Sequence, residues 1–138
     1  MDLELAIEEI EKTIEKIRER NKTIPIIVEG EKDVKALHSL NINGEILILH
    51  CGMEIANLCD YIASKYKEII ILTDWDKRGW YLCRKLEHNL KGRTKCITEY
   101  RLTFMKNSMV KDIESMPKFI KNLRNKIKGK DNKIEKKH

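Results

Sequence analysis

Residues 69–79 read "IIILTDWDKRG", an aliphatic run that ends on two aspartates, Asp74 and Asp76. Upstream, "IPIIVEG" (24–30) ends in the same manner on Glu29 and Gly30. A buried strand gains nothing from an acid at its end, because an ionised carboxylate resists leaving water. Two such endings in one chain call for a ligand of opposite charge.

Working outward from these segments, a regular alternation emerges. "IPIIVEG" is strand-like and "EKDVKALHSL" helical; "NING" turns into the strand "EILILH", and "MEIANLCDYIASKY" is helical. "EIIILTD" is a third strand, "KRGWYLCRKLEHNL" a helix, and "KCITEYRL" a fourth strand. The strands are continuous apolar runs rather than alternating ones, as a parallel sheet covered by helices on both faces requires. The expected fold is therefore α/β, a Rossmann-like single domain with a roughly four-stranded, mainly parallel sheet. Residues 1–21 form an N-terminal amphipathic helix, with Leu3, Ile7, Ile10, Ile14 and Ile17 on one stripe. Residues 22–102 hold the α/β domain, 103–128 a C-terminal helical extension and 129–138 a frayed basic tail. The C-terminal helix carries a single apolar row and is expected to pack on the domain beside the acidic first helix.

The 138 residues suit one domain, with 41% hydrophobic and 36% charged residues. No apolar run approaches the ~20 residues that span a bilayer, and the acidic N-terminus is unlike a secretory signal. A cytoplasmic protein with no membrane partner is expected. Cys51, Cys59, Cys83 and Cys96 contain no CxxC pair, which speaks against structural zinc and for reduced thiols. The net charge of +6 is uneven: residues 1–20 hold seven acids and four bases, 77–101 eight bases and two acids. Residues 118–138 hold nine bases and two acids, so the second half of the chain suits a polyanion, nucleic acid foremost.

In such a sheet, ligands bind beyond the carboxyl ends of the strands. Asp74 and Asp76, two apart, point to one side in extended backbone. Glu29 joins them if the first and third strands are neighbours. Three clustered carboxylates raise one another's pKa unless a cation sits among them. Hard oxygen ligands in small number suit Mg²⁺ or Mn²⁺ better than zinc. Such a cation also engages phosphate. Lys77 and Arg78 are then phosphate ligands, and Glu29 is a candidate general acid or base. Arg84, Lys85, Lys91, Arg93, Lys95 and Arg101 are candidates to position a nucleic-acid backbone. Trp75 and Trp80 are candidates to stack on bases, Trp75 the stronger. Taken singly, Glu29 or Asp76 reads as a helix N-cap and each tryptophan as packing; the conjunction of acids and glycines carries the functional reading.

At these residues the sequence resembles the Toprim domain, the module shared by topoisomerases, bacterial-type primases and several nucleases. "IIVEGEKDVKAL" (26–37) matches the family's glutamate-glycine signature and "IILTDWDKRG" (70–79) its Asp-x-Asp signature. The resemblance covers residues 22–102 and is nearest to small stand-alone archaeal Toprim proteins. It implies that Glu29 is the catalytic glutamate and that Asp74 and Asp76, with Glu29, hold Mg²⁺. Many members carry a third aspartate, where this chain has Arg78, which bears on a second ion. Neither a topoisomerase nor a complete primase is expected, since these 138 residues leave no room for a separate domain with the attacking tyrosine. The expectation is a Mg²⁺-dependent phosphodiesterase or nuclease in RNA processing, acting on structured RNA ahead of DNA. The alternative is a non-catalytic nucleic-acid-binding or assembly module. A homo-oligomer or a ribonucleoprotein partner is compatible with either.

Overall fold

The computed structural model describes the backbone of residues 2–136 and the side chains of residues 2–130. Helix α1 (Leu3–Arg20) starts on Asp2, whose Oδ1 accepts the Glu4 and Leu5 amides at 3.1 and 3.2 Å. That cap satisfies donors that the first helical turn cannot pair internally. The chain then runs through β1 (Ile26–Val28), α2 (Glu31–Ser39), β2 (Ile46–Ile48) and α3 (Ile55–Lys65). It continues through β3 (Glu68–Ile71), α4 (Lys77–Leu90), β4 (Lys95–Ile97), α5 (Glu99–Asn107) and α6 (Met116–Lys136).

The four strands are all parallel, in the order β2-β1-β3-β4. β1 lies against β3, with Ile26 opposite Ile70 and Ile27 opposite Ile71. The strand order reverses between β1 and β3, which opens a crevice at their carboxyl ends. Successive side chains alternate across the sheet and build two cores. Ile26, Val28, Ile70 and Leu72 pack with α1, α2, α5 and α6, while Ile27, Ile69 and Ile71 pack with α3 and α4. These strand residues are fully buried, each worth about 1.5–3 kcal/mol of transfer free energy.

Two expectations change here. The fourth strand ends at Ile97, and "EYRL" belongs to α5, which runs past residue 102 to Asn107. Tyr100 and Phe104 lie one helical turn apart and are both buried in the first core, so packing on the sheet decides for helix over strand. α6 extends through Lys136, into the stretch 129–138 read as frayed; residues 137 and 138 lie outside the described residues. α6 docks beside α1: Met116, Ile120 and Leu123 are buried, and Arg124 Nη2 stands 2.6 Å from Glu11 Oε1. The ion pair is exposed and contributes little; the apolar row holds the helix. Among the described residues no helix is long and apolar enough to cross a membrane.

Candidate metal centre

Each acid occupies its place because a strand stops there. Glu29 follows β1 and is 8% exposed. Its Oε2 accepts the Asp74 backbone N–H at 2.8 Å, tying the end of β1 to the end of β3. Its Oε1 lies 3.8 Å from His50 Nε2, and His50 Nε2 lies 3.4 Å from Arg78 Nη2. His50 follows β2 as Glu29 follows β1, so three adjacent strand ends meet at one point.

Asp74 is held from below. Arg101 is 2% exposed; its Nε donates to Thr73 O at 2.8 Å and its Nη2 to Asp74 O at 2.6 Å. From above, Gly79 comes so near that a Cβ there would meet Asp74 O at 1.8 Å. Asp76 caps α4, its Oδ1 accepting the Gly79 amide at 2.8 Å, and its side chain is exposed. The capping role expected of Asp76 alone is therefore present, and it leaves the second oxygen free.

The electrostatics are those of crowded acids. Burial first, then Glu29, then Asp33 and Asp112, push the Asp74 carboxyl up to about 8. Burial also raises Asp33, opposed by the Gly30 amide that Asp33 Oδ2 accepts at 3.1 Å. Asp74 Oδ1 is buried and has no hydrogen-bond partner. An orphaned carboxylate oxygen beside a second carboxylate is a costly arrangement, and a hard cation would satisfy it. Among the described residues no three His, Cys, Asp or Glu converge closely enough to enclose an ion unaided. That suits Mg²⁺, which is held by one or two carboxylates and completed by water and phosphate oxygens. Glu29 and Asp74, the two acids that meet, have the chemistry for such an ion; Asp76 is exposed and caps α4, and Arg78, exposed at the third-aspartate position, adds no ligand.

The remaining candidates divide. Lys77 and Arg78 are exposed at the start of α4, next to the acids, and Arg84 and Lys85 are exposed further along that helix. Lys91, Arg93 and Lys95 stand at the amino end of β4, the opposite edge of a parallel sheet. Arg93 is also engaged by Asp60 at 2.9 Å and by Asn89 O at 2.7 Å. Arg93 and Lys95 thus do not line the acidic crevice. Arg101 is buried with its guanidinium spent on two carbonyls, so it braces the site rather than binding phosphate at the surface. Trp75 packs against Phe104, with ring centroids 5.6 Å apart, and donates Nε1–H to Val110 O at 2.6 Å. It is not the stacking surface; Trp80, 48% exposed, is the open ring.

Sequence reasoning passed over Asp112 and the His50 contact. Asp112 lies in the loop between α5 and α6, which folds back because the Trp75 amide donates to Lys111 O at 2.8 Å. No local signal marks that return. His50 carried one: it ends a strand, as Glu29 does.

The Toprim domain family matches residues 24–107, and this chain belongs to it. Toprim domains generally bind Mg²⁺ and act on nucleic acids. A UPF0292 protein of Thermoplasma volcanium is 36% identical over 72% of this chain and 85% of its own length. The UPF0292 protein of Methanocaldococcus jannaschii is 30% identical over 82% of this chain and 91% of its own. A solved structure of a protein from Aquifex aeolicus superposes with a TM-score of 0.66 at 25% identity, covering 75% of this chain and 94% of that one.

Proposed function

We propose that this protein is a Mg²⁺-dependent phosphodiesterase of nucleic acid, with structured RNA its first substrate and DNA its second. The observation that carries the proposal is the buried, unpartnered Asp74 Oδ1 beside Glu29, at the strand-order reversal of a Toprim fold. When bound, Mg²⁺ supplies charge neutralisation and polarisation at a phosphate. Asp74 and the free oxygen of Asp76 orient that ion, with Mn²⁺ able to replace it. Glu29 Oε1, the oxygen not engaged by the Asp74 amide, takes or returns the proton at the reacting oxygen. Lys77 and Arg78 hold the phosphate's outer oxygens, Arg78 by a forked contact. Arg84 and Lys85 attract the rest of the strand electrostatically.

A second reading, a nucleic-acid-binding module without turnover, draws support from one observation. Arg78 stands where a third acid would strengthen a second ion, and no three acids converge unaided among the described residues.

Labelled RNA and DNA panels incubated with Mg²⁺, Mn²⁺ or EDTA test both readings. Cleavage that needs the cation and is lost in Glu29→Gln and Asp74→Asn is the expected result. Cleavage in EDTA, or full activity in both variants, sinks the site. Salt-sensitive binding without cleavage moves the assignment to the second reading.

A further inference from the structure

The outer face of α4 repeats one small device twice. Arg84 lies over the Trp80 ring with its Cζ 5.9 Å from the centroid, and Lys85 Nζ lies 5.8 Å from that of Tyr81. Both pairs are i,i+4, so they form two adjacent ridges on one helix surface. The rings are open, Trp80 at 48% and Tyr81 at 60% exposure. The inward face of α4 is filled by Leu82, Cys83, Leu86 and Leu90, which leaves both rings outside the core.

The face is also charged in one sense. Residues 77–91 contain five bases and a single acid, Glu87. The first turn of α4 grows from the backbone that carries Asp74 and Asp76. The Trp80 backbone N–H makes the regular helical bond to Asp76 O at 2.9 Å, and the Arg101 guanidinium that holds Asp74 O sits 5.7 Å from the Trp80 ring centroid. A fourteen-residue helix is about 21 Å long, enough for a short single-stranded segment at the low end of known site sizes, about four nucleotides.

We propose that the outer face of α4, through Trp80, Tyr81, Arg84 and Lys85, is a stacking platform for unpaired nucleotides, delivering a single strand to the carboxylates. The inference rests on the nucleic-acid reading above and narrows it. Cations alone would accept any polyanion, duplex included. Open rings add affinity only for bases whose faces are free, because bases in a duplex already stack on their neighbours. The positive face complements the strand's phosphates, and the aromatic ridges select for its unpaired bases.

The test is a titration in EDTA, where cleavage is suppressed, of fluorescently labelled single-stranded RNA and of the same sequence as a duplex. Wild type binds the single strand more tightly. Trp80→Ala weakens that binding about ten-fold or more, as loss of one stacked base predicts. Trp80→Phe restores most of it, and duplex binding is unchanged by either. Arg84→Glu with Lys85→Glu weakens both forms and flattens the salt dependence. Single-strand affinity unchanged in Trp80→Ala, with its melting temperature intact, overturns the platform. So does tighter duplex binding, although that result leaves the nucleic-acid reading standing. No binding of either form overturns both.

Discussion

Glu29 Oε2 accepts the Asp74 amide at 2.8 Å while Asp74 Oδ1, buried beside it, accepts nothing. The same contact that fixes Asp74's backbone brings its side chain against a second carboxylate. One acid positions the other and also burdens it. The arrangement costs stability as it stands, and a bound cation would reverse the sign.

Added Mg²⁺ should therefore raise the melting temperature of wild type. An ion at a hundred times its Kd adds about 2.7 kcal/mol, or roughly 10 °C in a domain this size. Asp74→Asn should remove most of that response while remaining folded. Differential scanning fluorimetry with and without Mg²⁺ decides it; an equal shift in the variant means the ion binds elsewhere.

Without divalent ions, pH acts on the same group. With its carboxyl raised from 3.8 to about 8, folded Asp74 keeps a proton that the unfolded chain releases. Stability from this residue is full below about pH 4 and is lost as pH rises toward 8. Asp74→Asn should flatten that part of the profile and melt above wild type at pH 8 in EDTA. Parallel curves for the two proteins across pH 4–8 would refute the assignment.

Two glycines should behave oppositely. A Cβ at Gly79 meets Asp74 O at 1.8 Å, whereas one at Gly30 meets nothing within 4 Å, on extended backbone with φ −152°. Gly79→Ala should cost about 3 kcal/mol or more through forced backbone displacement. Gly30→Ala should change stability by less than about 1 kcal/mol yet impair cleavage, because the open space above Gly30 lies beside Glu29. Chemical denaturation and the cleavage assay separate the two effects.

Arg101→Met should cost about 3 kcal/mol, since it leaves the carbonyls of Thr73 and Asp74 without their buried donors. Arg101→Lys should recover only part of this, because an ammonium lacks the guanidinium fork. Urea unfolding measures both; a surface role would leave both midpoints unmoved.

The sequence made the strand ends legible because parallel strands announce themselves as apolar runs and acids interrupt them. The meeting of Glu29 with Asp74 needed only the adjacency of β1 and β3, which the pairing of Ile26 with Ile70 provides, whereas Asp76, expected to join them, caps α4. The sequence ranks Trp75 above Trp80 as a stacking ring, and the exposures run the other way, because Trp75 is covered by Phe104 and Val110 returning from far along the chain. Arg101 read as one more surface cation for the same reason: its partners, Thr73 and Asp74, are distant in sequence. "EYRL" read as strand because Ile97 and the residues after it suit either state. The Tyr100–Phe104 spacing was the available helical signal.

Trp75 takes hydrogen bonds to Val110 and Lys111 across to a segment that lies beyond residue 107, where the family match stops. Met116, Ile120 and Leu123 complete the first core from further on still. A fragment ending at residue 107 is expected to lose part of the first core. Within this chain the later residues are a buttress for the turn that carries the acids, and a cut at residue 107 would remove it.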